Sequence, residues 1–135
     1  MVCLDTSFLI DILKGNQKVE ELEHELEDNN KDINITSLSI MELIKGIKLR
    51  ENLPYVKETE KEKINDILSN FNILGFDKNS AILAGEIEAD LINKGEIIDI
   101  EDIMIAAITI NNDEILLTRN RKHFEKIKGL KIESY

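Results

Sequence analysis

The chain has 135 residues, 42% of them hydrophobic and 33% charged, with a formal net charge of -10. That length predicts a single domain over residues 1–135 able to bury a core without staples, and the acidic balance argues against a general nucleic-acid coat, which neutralises phosphates with Lys and Arg. The one cysteine excludes an intrachain disulfide and a cysteine zinc site, while the lack of a basic-then-apolar leader or an apolar run near ~20 residues predicts a cytoplasmic chain with no membrane partner.

Aromatics make up 4% and Trp is absent, so Ile and Leu must build the core. "MVCL" predicts a buried strand, with Cys3 as a small core side chain. "SFLIDILKG" carries Phe8, Leu9, Ile12 and Leu13 at helical spacing, and Gly15 suits the position just past a helix end. "QKVEELEHELEDNN" reads as a charged helix with a narrow stripe through Val19, Leu22 and Leu26.

"INIT" predicts a second strand, and "SIMELIKGIKLREN" a helix with Ile40, Met41, Ile44 and Ile47 on one face. "VKETEKEKINDILSN" is a mostly solvated helix, and Pro54 fits its first turn. "FNILGF" predicts a third strand and "NSAILAGEIEADLINKG" a long helix ended by Gly95. "EDIMIAAITINN" is apolar nearly all round, which predicts burial. "EILLT", "RKHFEKI" and "LKIES" complete the chain as strand, short helix and strand. Helices alternating with short apolar strands predict a three-layer α/β/α domain around a mainly parallel five-stranded sheet. Ligands of such sheets bind beyond the strand carboxyl ends.

Several polar residues fall at the joints. Asp5 directly ends the first strand. Glu42 is expected in the first turn of the helix after the second strand. Asp99 and Asp102 open the apolar helix, and Asn120 follows "LLT". Capping explains most of them singly: "SIME" matches a capping box with Ser39 as cap, Asp99 or Asn120 could cap, and Thr6 or Ser7 could cap the first helix. Capping does not explain Asp5 well, because Ser, Thr or Asn would cap there without burying a charge. Nor does it explain why acids collect at joints that a parallel sheet gathers at one edge. Three carboxylates within ~5 Å repel by roughly a few kcal/mol per pair at an effective dielectric near 20. A divalent cation with oxygen ligands relieves that repulsion, and the lack of His and Cys at the joints favours Mg²⁺ or Mn²⁺ over Zn²⁺.

Taken in order, "LDTSFLIDILKG", "SIMELIKGI" and "KGEIIDIEDIMIAAITINNDEILLTRNRKHFEKIKGLKI" resemble a PIN domain, and more closely the VapC-type toxins of toxin–antitoxin pairs. The resemblance spans the whole chain. It implies a PIN-like fold and a Mg²⁺- or Mn²⁺-dependent endoribonuclease. It places the family's acids on Asp5, Glu42 and Asp102, as catalytic and metal-holding residues, and its fourth site position on Asn120. Asn adds no charge, so a second metal would be held more weakly there. Thr6 and Thr118 become supporting hydroxyls, with Asp99 as an additional acid that supports the site or only caps. Lys45, Lys48, Arg50, Arg119, Arg121 and Lys122 become candidates for RNA phosphates, although plain solvated helix faces explain them equally. His24 reads as surface, and His123 lies near the site. The implied partners are RNA, a cognate antitoxin and a second copy of the chain.

Two other readings compete. One is a phosphoryl-transfer domain with Asp5 as nucleophile, but a dehalogenase-like site wants a second Asp where Ser7 stands. The other is a binding module that kept the fold and lost catalysis, to which Asn120 lends support and the retained acids do not.

Overall fold

The computed structural model describes residues 1–29, 32–52 and 58–135. Five strands form one sheet: β1 (Val2–Leu4), β2 (Ile33–Thr36), β3 (Asn72–Leu74), β4 (Ile115–Thr118) and β5 (Lys131–Ser134). Its order is β3-β2-β1-β4-β5 and every pairing is parallel.

The helices are α1 (Thr6–Leu13), α2 (Gln17–Asp28), α3 (Ser37–Arg50), α4 (Glu58–Asn70), α5 (Lys78–Asn93), α6 (Ile100–Asn111) and α7 (Arg121–Phe124). Parallel pairing forces each connection to cross over the sheet, so the helices cover its faces. One core cluster joins the sheet to α1, α2, α3 and α4 through Phe8, Leu9, Ile12, Leu43, Ile47 and Ile64. A second joins it to α5, α6 and α7 through Leu91, Ile105, Ile108, Leu116 and Phe124. The three layers and the single sheet agree with the sequence reading.

The order of the strands matters most for function. The chain winds outward from β1 to β2 and β3, then returns to the other side of β1 for β4 and β5. Winding direction therefore reverses between β1 and β4, and such a reversal leaves a crevice outside the carboxyl ends of those strands. Asp5 follows β1 and Thr118 ends β4, so both sit at the crevice.

Several expectations shift. Thr36 caps α3, accepting a hydrogen bond from the Ser39 amide at 3.1 Å, so the helix starts at Ser37. Ser39 is therefore not the cap, and Glu42 lies beyond the first turn rather than inside it. The buried side of α3 is Leu38, Ser39, Leu43 and Ile47 with Ile40 partly covered, while Met41 and Ile44 are 50% and 39% exposed. This helix carries apolar residues on nearly every side, so periodicity alone could not choose the face. On β3, at the edge of the sheet, Ile73 is exposed. Pro54 lies outside the described residues. Gly15 and Gly95 adopt left-handed φ of 73° and 72°, as helix ends require. Cys3 is fully buried, and burial pushes its thiol up to about 12, which leaves it unreactive.

Candidate active site

Helix caps give the first sign that the crevice is unusual. Asn16, Thr36 and Asp77 cap α2, α3 and α5 with their side chains. Asp5, Asp99 and Asn120 occupy the same position on α1, α6 and α7, and none of their side chains caps. Capping is the plain explanation for Asp99 and Asn120, and the geometry removes it.

Asp5 is held instead by hydroxyls. Ser7 Oγ donates to its Oδ2 at 3.0 Å and Thr118 Oγ1 donates to the same oxygen at 2.8 Å. Thr118 also accepts from the Asn120 amide at 2.9 Å. The Asp5 backbone amide donates to the Leu117 carbonyl at 3.0 Å. The carboxylate is therefore fixed between the two strands that flank the reversal, with Oδ1 left free of hydroxyl donors from the described residues.

Glu42 is fixed by a row of buried hydroxyls. Thr36 Oγ1 donates to Ser39 Oγ at 3.3 Å, Ser39 Oγ lies 2.9 Å from Thr6 Oγ1, and Thr6 donates to Glu42 Oε1 at 2.9 Å. Thr6 has one proton and gives it to Glu42, so Ser39 must donate to Thr6. Every proton in the row points toward the carboxylate, which makes Glu42 its terminal acceptor.

Charge brings the acids together. The Asp102 carboxyl is pushed up to about 6, first by burial and then by Asp5, with Glu42 and Asp99 adding and His123 opposing. Glu42 is likewise raised by burial, with Asp5 and Glu101 adding against the Thr6 hydrogen bond and Lys45. Asp5, Glu42 and Asp102 thus act on one another although they come from the joint after β1, from α3 and from α6. His123 Nδ1 stands 3.6 Å from Asp102 Oδ2.

Among the described residues no three His, Cys, Asp or Glu side chains converge tightly enough to hold a metal directly. The donors nonetheless fit a hard divalent cation in type and charge: they are all oxygens, one is free on Asp5, and Asp102 and Glu42 are both raised partly by its charge.

The expected basic contacts divide. Lys45 is exposed and close enough to Glu42 to lower its pKa. Arg121 and Lys122 are exposed and make no ion pair with other described residues. Lys48 pairs with Glu51 at 3.2 Å on the surface, and Arg50 with Glu60 at 3.3 Å. Arg119 departs most from expectation, because its Nη1 donates at 2.7 Å to Asp11, a buried carboxylate. Ser7, Ser39, Glu101 and Asp11 are the participants the sequence reading missed. Ser7 stands two residues from Asp5 and Asp11 one helical turn further, which was the only signal available. His24 is on the surface as expected.

The Asp102 shift carries a stability consequence. Its folded value is about 6 against 3.8 for an ordinary aspartate, so the folded state holds that proton more tightly. The penalty is absent below the unfolded pKa, grows as pH rises between the two values, and is complete above about 6. Asp102→Asn is therefore expected to be more stable than the parent by about 1–3 kcal/mol at pH 7, with the difference vanishing near pH 4. Denaturant unfolding in chelator across that range measures it.

Comparison with known proteins agrees with the fold. Residues 2–130 match the PIN domain family. The chain is 30% identical to the "tRNA(fMet)-specific endonuclease VapC" of Salmonella typhimurium, over 98% of this chain and 96% of that one. It is 33% identical to "Ribonuclease VapC1" of Methanocaldococcus jannaschii, over 97% of this chain and 85% of that one. Among solved structures, VapBC2 of Rickettsia felis, bound to a DNA fragment from its promoter, superposes with a TM-score of 0.87 at 28% identity, covering 100% of this chain and 99% of that one. The chain belongs to the PIN domain family, on its VapC branch.

Proposed function

We infer that this protein is an endoribonuclease that hydrolyses RNA phosphodiester bonds with Mg²⁺ or Mn²⁺, and that it is the toxin of a toxin–antitoxin pair. The observation that carries the reading is the set of mutually repelling acids at the sheet reversal, released from capping and steadied by hydroxyls. Asp5 and Asp102 would hold the ion, with Glu42 as a further ligand, direct or through water. Bound there, such an ion lowers the pKa of a water and offsets charge on the phosphate.

The chain's own residues do the rest. Ser7 and Thr118 hold Asp5 still, and Thr6 holds Glu42. The Asn120 side-chain amide, uncommitted to its own helix, is available to orient water or a phosphate oxygen. Lys45, Lys48 and Arg121 meet flanking phosphates; the exposed Lys48–Glu51 pair contributes about 0–1 kcal/mol and exchanges readily for RNA.

The same reading includes a cognate antitoxin, supported by the VapBC complex among the relatives. A basic side chain of that partner entering the acidic crevice would compete with Mn²⁺. A second copy of the chain is the other proposed partner, for which Ile92, Ile97 and Ile100, exposed by 66%, 97% and 48%, offer apolar surface. Among the described residues no helix is long and apolar enough to cross a membrane; a cytoplasmic setting belongs to the proposal.

Incubation of the protein with structured RNA tests the main claim. Cleavage is expected with Mg²⁺ or Mn²⁺ and is expected to stop in excess chelator. Cleavage that persists in chelator would overturn the metal assignment, and acid-labile phosphorylation of Asp5 would favour phosphoryl transfer.

A further inference from the structure

Arg119 directly follows Leu117 and Thr118, the two residues that tie β4 to Asp5, yet its guanidinium reaches α1. It donates to Asp11 Oδ1 at 2.7 Å, while the Tyr135 hydroxyl donates to Asp11 Oδ2 at 3.0 Å. Asp11 is among the most buried charged residues, with a side chain 6% exposed. A buried carboxylate that loses its partner is left destabilised, so this pair, buried on the Asp11 side with Arg119 half exposed, differs from the surface Lys48–Glu51 pair.

The contacts form a circuit around the crevice. Thr118 donates to Asp5, Arg119 to Asp11, and the Asn120 amide to Thr118. Tyr135 Oη also stands 3.5 Å from Ser7 Oγ, and Ser7 donates back to Asp5. The turn after β4 is thus fastened to α1 at Asp5 and again at Asp11, about 9 Å further along the helix at 1.5 Å per residue. One attachment leaves a pivot; two fix the orientation of the turn. Asn120 then has a set direction relative to Asp5.

We propose that Asp11 and Arg119 are positioning residues, an ion-pair clamp that sets Asn120 against Asp5 for RNA cleavage. The role rests on the nuclease reading above. It also withdraws Arg119 from the phosphate contacts that the sequence suggested.

Asp11→Asn, Arg119→Ala and the double variant test the clamp, with KM and kcat measured on one RNA and hydrogen exchange measured at the Asn120 amide. Small displacements of reacting groups cost up to about a hundredfold, so each single variant is expected to lose about tenfold to a hundredfold in kcat, with KM unchanged. The double variant should lose no more than the worse single one, because both remove one device. Exchange of the Asn120 amide should quicken in all three. Arg119→Lys, which keeps the charge, should recover part of kcat.

A rise in KM for Arg119→Ala with kcat held, and no such rise for Asp11→Asn, would return Arg119 to the RNA contacts and overturn the clamp. Unchanged exchange at Asn120 would overturn it as well. If the parent protein cleaves no RNA, the nuclease reading fails, while the exchange measurement still decides whether the turn is clamped.

Discussion

Asp5→Asn is expected to lower RNA cleavage by about a thousandfold while leaving the protein folded. Metal stabilisation of transition-state charge supplies several kcal/mol, and at 1.36 kcal/mol per tenfold a loss of about 4 kcal/mol is about a thousandfold. The substitution is nearly isosteric, and the new amide oxygen can still accept from Ser7 and Thr118. It also removes a charge that presses on Asp102 and Glu42. Thermal unfolding in chelator should therefore show an equal or higher midpoint for the variant, and Mn²⁺ should raise that midpoint in the parent but much less in the variant. Retained cleavage at near-parental rate would remove Asp5 from the chemistry.

Phe8→Ala is expected to cost about 3–5 kcal/mol of folding stability, the usual range for a fully buried aromatic. Phe8 is 0% exposed in the core between the sheet and α1, and its ring meets Tyr135 edge-on with centroids 5.0 Å apart. Total stability of a domain is only about 5–15 kcal/mol, so the variant should unfold at much lower denaturant. Because α1 also carries Thr6, Ser7 and Asp11, cleavage should fall at growth temperature and recover on cooling. A denaturation midpoint close to the parent's would show that α1 is held by something other than this ring.

The sequence was most informative where one physical signal dominated. The alternation of short apolar strands with helices sufficed for the layers and the parallel sheet, and Asp5 betrayed itself by ending a buried strand with a charge. Glu42 was placed in the right helix but the wrong turn, because Thr36 and Ser39 are both good caps and only packing selects between them. Met41 and Ile44 read as one apolar face with Ile40 and Ile47, yet both are exposed, because α3 is apolar on most sides and only packing selects the buried one. The hydroxyl row onto Glu42 joins residues more than thirty positions apart, and no local pattern encodes it. Arg119 has a related limit: a basic residue beside Asn120 reads as an RNA contact, and its bond to the buried Asp11 on α1 is visible only in the fold. Residue types announce chemistry, whereas pairing across the fold decides which groups are spoken for.

The reversal between β1 and β4 also governs when activity can arise during synthesis. A nascent chain that ends within α5 already carries Asp5 and Glu42, but it has neither Asp102 nor the strand that anchors Asp5 through Thr118. Such a fragment lacks part of the acid set and is expected not to cleave RNA. On the proposed toxin reading, an inhibitor is needed only once α6 and β4 have been translated.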